Sequence, residues 1–276
     1  MVARILTGLV LAPLLIYAVL VAPKAVMIAV LVLAAARAVD ELLRMYKELR
    51  VGDRAFAALL ATGVAAAPLL GAHSFVAIIG LVPVLWLAGC LWRPGDVETA
   101  SRRAALGLLG ISYIGVLIAM LVAILLHRPL APLAQSPWGA VDTGRGALMA
   151  TFLIVFAGDT GAYFSGRAFG GPKLYELISP KKTVSGAVGG LTASMLSGWL
   201  VGHWLLPLPL PSSLLLGAAC GMTGQIGDLC ESLFKRATGT KDSGSLLPGH
   251  GGLLDRVDGV LFAAPVVFAW LQWMQP

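Results

Sequence analysis

The chain has 276 residues, of which 58% are hydrophobic and only 12% are charged, and its formal net charge is +6. A mean hydropathy of +0.86 lies far above that of a soluble globular protein and leaves no room for a large soluble domain beside the apolar segments. The three cysteines, Cys90, Cys220 and Cys230, form no Cys-x-x-Cys pair, which argues against a zinc site or a disulfide framework.

Apolar runs long enough to cross a bilayer recur along the whole chain. A helix needs about 20 apolar residues to cross about 30 Å of hydrocarbon. We therefore predict an all-α polytopic membrane protein with about nine transmembrane helices, built as a single integral-membrane domain over residues 1–276. Its N-terminal spans cover about 1–126, and its catalytic spans and loops cover about 147–276. The predicted spans are 5–22, 25–43, 55–72, 75–92, 105–126, 147–165, 185–206, 212–233 and 257–274.

Basic residues concentrate in alternate connections between these spans. Most of the 20 Lys and Arg residues lie in or beside the connections 2–3, 4–5, 6–7 and 8–9. The positive-inside rule then puts these connections and the N-terminus in the cytoplasm. We expect a multi-pass protein of the cell inner (plasma) membrane with its site facing the cytoplasm. The basic charge follows this topology and attracts anionic headgroups or substrates, so no nucleic-acid partner is expected.

The sixth span and the segment after it hold the first candidate site residues. Asp159 lies inside the span, and a carboxylate at that depth is a functional-site hypothesis by default. The following segment contains Ser179, Lys181, Lys182 and Thr183, whose hydroxyl and ammonium groups suit a phosphate. The alternative is that these lysines are ordinary cytoplasmic charges of the positive-inside rule.

The end of the eighth span carries charged residues at helical spacing. Glu231, Ser232 and Lys235 lie three, four and seven residues after Asp228, so all four share one helix face. Two carboxylates at this depth are unfavourable unless a lysine or a divalent cation neutralises them. The alternative is a salt-bridged helix end whose carboxylates reach water.

A glycine-containing loop follows, in which cations, glycines and carboxylates alternate. Glycines let backbone N–H groups approach a phosphate closely, and arginine binds phosphate through two donors. Glycines are also common turn residues, and carboxylates at a helix N-terminus can simply complement the helix dipole. The histidine could be a general base, a metal ligand or a hydrogen-bonding residue of the turn. The residues are Arg236, Lys241, Asp242, His250, Gly251, Gly252, Asp255, Arg256 and Asp258.

The C-terminal part of the chain resembles the motif of the phosphatidate cytidylyltransferase (CDP-diacylglycerol synthase) family. Here the motif reads Ser232-x2-Lys235-Arg236-x4-Lys241-Asp242-x5-Pro248-x-His250-Gly251-Gly252-x2-Asp255-Arg256-x-Asp258. The segments 158–163 and 178–183 are also similar to that family. One departure is Ser185, because the family pattern leads us to expect an acidic residue at this position.

The resemblance implies the reaction of CTP with phosphatidate to give CDP-diacylglycerol and pyrophosphate in phospholipid biosynthesis. It also implies a dependence on Mg²⁺, with room for a second cation. Membrane lipids are further expected partners, and a homodimer remains open. The alternatives are a related CTP-dependent enzyme acting on another lipid and a polytopic ion-coupled transporter, although a transporter site is expected nearer the bilayer midplane.

Under this hypothesis each candidate residue receives a role. We expect Asp228 and Asp255 to be the first-choice metal ligands, with Asp258 and Glu231 behind them. The expected catalytic residues are Asp159, Lys181, Lys182, Lys235, Arg236, Lys241, Asp242, His250 and Arg256, and the expected substrate-binding residues are Ser179, Thr183, Ser232, Gly251 and Gly252.

Overall fold

The computed structural model describes residues 13–92, 96–127, 142–206, 208–244 and 251–273, and these are mostly helical. After a helical segment over 13–20, the helices are α1 (Lys24–Arg44), α2 (Val51–Ala66), α3 (Ala72–Leu91), α4 (Val97–Gly110), α5 (Leu117–Leu125), α6 (Thr143–Phe169), α7 (Val184–Leu205), α8 (Leu210–Ala237) and α9 (Leu254–Trp273). A 3-10 turn (Ala67–Leu70) extends α2, and a π-helix (Ile111–Val116) joins α4 to α5. The strands β1 (Lys173–Tyr175) and β2 (Ser179–Thr183) lie between α6 and α7.

Five helical stretches in the described part of the chain are long and apolar enough to cross a membrane. This confirms the prediction of an all-α polytopic membrane protein. The predicted span over 5–22 begins outside the described residues. The five stretches are Val51–Leu70, Ala72–Leu91, Val97–Leu125, Thr143–Phe169 and Val184–Leu205.

Small residues bring α6, α7 and α8 into close contact. A Cβ atom added at Gly198 on α7 would lie 2.6 Å from the Cα of Gly217 on α8, so neither position has room for a side chain. One turn earlier on α7, the hydroxyl of Ser194 donates to the carbonyl of Ile154 on α6 at 3.1 Å. Small residues allow membrane helices to pack backbone against backbone. This packing holds the charged ends of α6 and α8 near each other.

A short antiparallel hairpin connects α6 to α7. Lys173 pairs with Thr183 and Tyr175 pairs with Ser179. The Thr183 hydroxyl then accepts from the backbone N–H of Gly186 at 3.1 Å and so caps the N-terminus of α7. The hairpin was not expected from the sequence, which indicated only a loop here. It fixes the segment with the two lysines against the ends of α6 and α8.

Helix α9 joins the two parts of the chain. It packs against α8 and α6 on the C-terminal side and against α5 on the N-terminal side. Gly227 makes the contact with α8 close, because a Cβ atom there would lie 2.6 Å from the carbonyl oxygen of Asp258. Charged residues on α8 and α9 therefore face each other across a narrow gap.

Candidate active site

Three carboxylates meet where α8 and α9 are in contact. One oxygen each from Asp228, Glu231 and Asp258 lies within 4.8 Å of the others. Glu231 is 1% exposed and Asp258 is 9% exposed. Asp228 and Glu231 are three residues apart on α8, so both point toward α9. The structure thus brings together three of the four carboxylates that the sequence suggested as metal ligands.

This group has the donor chemistry of a hard cation site. Lys235 donates to Glu231 Oε2 at 2.5 Å. The other oxygen, Oε1, is buried and accepts no hydrogen bond from any residue that the structure describes. A buried carboxylate oxygen without a donor is unfavourable unless a cation approaches it. Carboxylate oxygens are the ligands that Mg²⁺ and similar ions prefer, so the three residues fit such an ion.

Asp255 lies beside this group but its oxygens have other partners. Oδ1 accepts from Lys235 at 2.7 Å, and Oδ2 accepts from the N–H and the hydroxyl of Ser243 and from the Gly252 N–H at 2.8 to 2.9 Å. Asp255 was a first-choice metal ligand in the sequence prediction, but it is not one of the three carboxylates that lie together. Asp255 instead joins the two ends of the loop between α8 and α9.

These hydrogen bonds also control the ionisation of Asp255, which precedes the predicted span 257–274. Burial alone would raise the pKa of this carboxyl group. Hydrogen bonds from the Lys235 ammonium and the Gly252 N–H outweigh burial and lower the pKa to about 2. Asp255 is therefore a carboxylate at neutral pH, as its contacts require.

A cavity of about 430 Å³ adjoins the three carboxylates. Lys182 links the cavity to the carboxylates, because it lines the cavity and its Nζ atom lies 2.5 Å from Asp228 Oδ2. The cavity combines cations, a carboxylate from α6 and apolar surface, which suits an amphipathic anion. Its lining includes Asp159, Tyr163, Lys181, Lys182, Gln225 and Asp228.

Of the other predicted residues in the hairpin, Thr183 lines the cavity and Ser179 lies beside it in β2. Thr183 lines the cavity but also caps α7, so its hydroxyl is already engaged. Ser179 lies at the start of β2 and is partly buried. Near it, Arg236 Nε donates to the carbonyl of Ile178 at 3.1 Å and ties the end of α8 to the hairpin. Ser185, where an acidic residue was expected, donates to the carbonyl of Gly170.

The remaining predicted residues lie along the loop after α8 and at the start of α9. Ser232 is partly buried on α8, whereas Lys241, Asp242 and Arg256 are exposed. Gly251 has a φ of 79°, which favours glycine, and Gly252 is buried. His250 lies outside the described residues.

Sequence reasoning missed Tyr113, which a π-helix presents to the carboxylates. Its side chain is 8% exposed, and its hydroxyl has no hydrogen-bond partner in the described part of the chain. The ring packs against Phe234 and Phe262, whose centroids are 5.8 and 5.6 Å away. These rings follow Glu231 and Asp258 by one helical turn, and Tyr113 is in electrostatic range of both carboxylates. In the sequence Tyr113 is a single tyrosine in an apolar span, and nothing there indicates that it lies near the carboxylates.

Comparisons with known proteins agree with this chemistry. Residues 2–274 match the model of the cytidylyltransferase family. A phosphatidate cytidylyltransferase of Brucella suis is 48% identical over 124 residues, which cover 42% of this chain and 43% of that protein. Proteins of the same name from Synechocystis and Staphylococcus saprophyticus are 40% and 44% identical, over 55% and 44% of this chain and 53% and 46% of theirs. The chain thus matches these curated relatives over about half of their length.

Proposed function

The chain belongs to the cytidylyltransferase family, and from this premise we propose that it transfers the cytidylyl group of CTP to phosphatidate. The products would be CDP-diacylglycerol and pyrophosphate. The observation that carries the proposal is the group of three carboxylates, Asp228, Glu231 and Asp258, beside a cation-lined cavity. The family accounts for the nucleotide, and the cavity suits a phosphate that carries an apolar tail.

The reaction needs charge neutralisation more than covalent catalysis. An oxygen of the phosphatidate phosphate attacks the α-phosphorus of CTP, the bond to the β-phosphate oxygen breaks, and pyrophosphate leaves with that electron pair. The attacking and leaving groups are both anionic, so the protein has to align them and screen their repulsion. No side-chain nucleophile is required, because a phosphate monoester is already ionised at neutral pH.

The cations of the hairpin would bind one substrate, and the cations after α8 would bind the other. Lys181 and Lys182 line the cavity and would bind the lipid phosphate, with Ser179 nearby. Lys241 and Arg256 are exposed, on the loop after α8 and at the start of α9, and would bind the triphosphate. Lys235 and Arg236, whose contacts lie within the protein, would hold the carboxylates and the hairpin in place.

Asp228, Glu231 and Asp258 would hold Mg²⁺, with room for a second cation. When bound, the ion supplies positive charge to the phosphate oxygens of the reaction. The carboxylates of α8 and α9 fix where that charge lies relative to the cavity. Asp159, which lines the cavity, would complete the site from α6.

The same proposal includes the membrane arrangement. About nine spans in the cell inner membrane would put the basic connections, the hairpin and the site on the cytoplasmic side. CTP would then reach the site from the cytoplasm.

The test is turnover by purified protein in detergent or liposomes. With CTP, phosphatidate and Mg²⁺ we expect equal amounts of pyrophosphate and CDP-diacylglycerol, and no product after chelation with EDTA. Asp258→Asn should lower the rate on the order of 100-fold, by analogy with the loss of one group that stabilises transition-state charge. The matched control is Glu98→Gln, which removes an exposed carboxylate whose ion-pair partner among the described residues is Arg102 on the same helix.

Three results would contradict the proposal. Wild-type protein that forms no pyrophosphate excludes the reaction. Product formed faster from another lipid phosphate identifies a related enzyme. Ion counterflow in liposomes without turnover identifies a transporter.

A further inference from the structure

A carboxylate from the N-terminal half of the chain lies inside the loop of the C-terminal motif. Glu41, near the end of α1, is 1% exposed. Its Oε2 atom accepts a hydrogen bond from the backbone N–H of Leu254 at 3.0 Å. Leu254 is the first residue of α9, so this oxygen satisfies one of the N–H groups that a helix N-terminus leaves without a partner.

Both ends of the loop close on this one side chain. A Cβ atom at Gly244 would lie 2.6 Å from Glu41 Oε1, and one at Gly252 would lie 2.5 Å from Oε2. Only glycine leaves room for the carboxylate at these two positions. Residues 245–250, which include His250, lie between the two points that Glu41 touches.

The contacts of Glu41 lie directly next to those of the site. Asp255 accepts from Ser243 and from Gly252, the same two loop ends that Glu41 contacts. A second contact from the end of α1 supports the loop, because the hydroxyl of Thr240 donates to the Met45 sulfur at 3.2 Å. The loop is therefore held between a carboxylate of α9 and the C-terminal end of α1.

A local helix cap does not account for this arrangement. A Ser, Thr or Asp next to α9 would cap it without a long-range contact. Glu41 instead buries a charge and orders contacts across 213 positions of sequence. Its partner Arg37, 3.0 Å from Oε1, orients the carboxylate.

We propose that Glu41 is a positioning residue for the reaction: it holds Gly244, Gly252 and the first residue of α9, so that Lys241 and Arg256 on either side meet the substrate phosphates at the three carboxylates. The inference rests on the proposed function, since the loop is assigned to phosphate binding there. Glu41 itself touches neither substrate. Its effect on the rate would come through the loop backbone, where a displacement of about 1 Å is enough to slow a reaction about 100-fold.

The experiment compares Glu41→Gln, Glu41→Ala and Asp40→Asn. Gln keeps an oxygen for the Leu254 N–H, whereas Ala removes it. Asp40 is the matched control, because it is the adjacent carboxylate and also pairs with Arg37, yet its ion-pair partners in the described part of the chain are arginines of α1 and α2. Hydrogen exchange of peptides covering 243–254 and the kcat and KM for CTP are measured for each protein.

For Glu41→Ala we expect faster exchange in 243–254 and a kcat lowered about 10- to 100-fold at a temperature where the protein stays folded. Glu41→Gln should recover most of both, and Asp40→Asn should match wild type in both. If Glu41→Ala does not fold, Glu41→Asp takes its place with the same expected changes, because its shorter side chain withdraws the oxygen from the Leu254 N–H. Unchanged exchange, or a kcat within twofold of wild type, overturns the inference. Inactive wild-type protein would instead refute the proposed function, and the exchange experiment would still report on the loop.

Discussion

Lys235 shows how single residues divide the charge of the site. Its ammonium contacts Glu231 on its own helix and Asp255 on α9, at 2.5 and 2.7 Å. One cation therefore links the two helices and partly neutralises two carboxylates. Lys182 pairs with Asp228 in the same way. Asp258 and the second oxygen of Glu231 have no ammonium partner among the described residues, so a divalent ion fits best here.

Asp255 should make stability depend on acid pH. Its folded-state pKa of about 2 lies below the ordinary value of 3.8, so its contribution is full above about pH 4 and is lost as the pH falls toward 2. We expect Asp255→Asn to lower the melting temperature of the detergent-solubilised protein. The difference from wild type should be largest above pH 5 and should shrink toward pH 2. A difference that is the same at every pH would contradict the assigned hydrogen bonds.

Tyr113 should affect the affinity for metal without affecting the fold. Tyr113→Phe keeps the ring between Phe234 and Phe262 and removes only the hydroxyl that faces the carboxylates. We expect the Mg²⁺ concentration for half-maximal rate to rise about 10-fold, as on loss of a group that supports metal ligands, with an unchanged melting temperature. Tyr17→Phe, at an exposed position, is the control. An unchanged Mg²⁺ requirement would show that the hydroxyl plays no part.

At the scale of elements, the site depends on how closely α6, α7 and α8 pack. Each helix alone is an ordinary apolar segment. Their small residues allow the hairpin after α6 to reach Asp228 on α8, where Lys182 meets it. The chemistry of the charged residues thus depends on glycines that carry no charge themselves.

Gly198→Ala should test this packing. The new methyl group would lie 2.6 Å from the Gly217 backbone, which cannot move aside as a side chain can. We expect a loss of about 1–3 kcal/mol in stability and a lower rate, both measured on purified protein. Gly63→Ala in α2 is the control, because a Cβ atom there meets nothing within 4 Å. Equal behaviour of the two variants would show that close packing of α7 on α8 is not needed.

For the whole molecule, hydropathy and charge predicted the fold class, and the motif predicted most of the candidate site. They could not predict the hairpin, because Ser179–Thr183 lacks the apolar alternation typical of a strand. Spacing also could not predict which of Asp255 and Asp258 lies with Asp228 and Glu231, because both are acidic residues at one helix start. The contact of Glu41 with Leu254 could not be predicted, because the two residues are 213 positions apart in the sequence.

The membrane orientation can be tested with cysteine labelling of intact cells. In a background without Cys90, Cys220 and Cys230, a membrane-impermeant maleimide should label Lys24→Cys from outside and should not reach Lys241→Cys. The reason is that nine spans put these positions on opposite faces, with the basic loop inside. After the cells are opened, Lys241→Cys should be labelled too. The reverse pattern would invert the orientation, and labelling of both in intact cells would change the number of spans.

The lengths of α6 and α8 determine how deep the chemistry takes place. At a rise of 1.5 Å per residue, Asp159 lies about 24 Å along α6 and Asp228 about 27 Å along α8. Both helices run in the same direction, and the hydrocarbon layer is about 30 Å thick. In the proposed membrane arrangement the two carboxylates would reach the level where glycerol esters meet water. A lipid could react there with its acyl chains still among their neighbours, and only the nucleotide would have to travel.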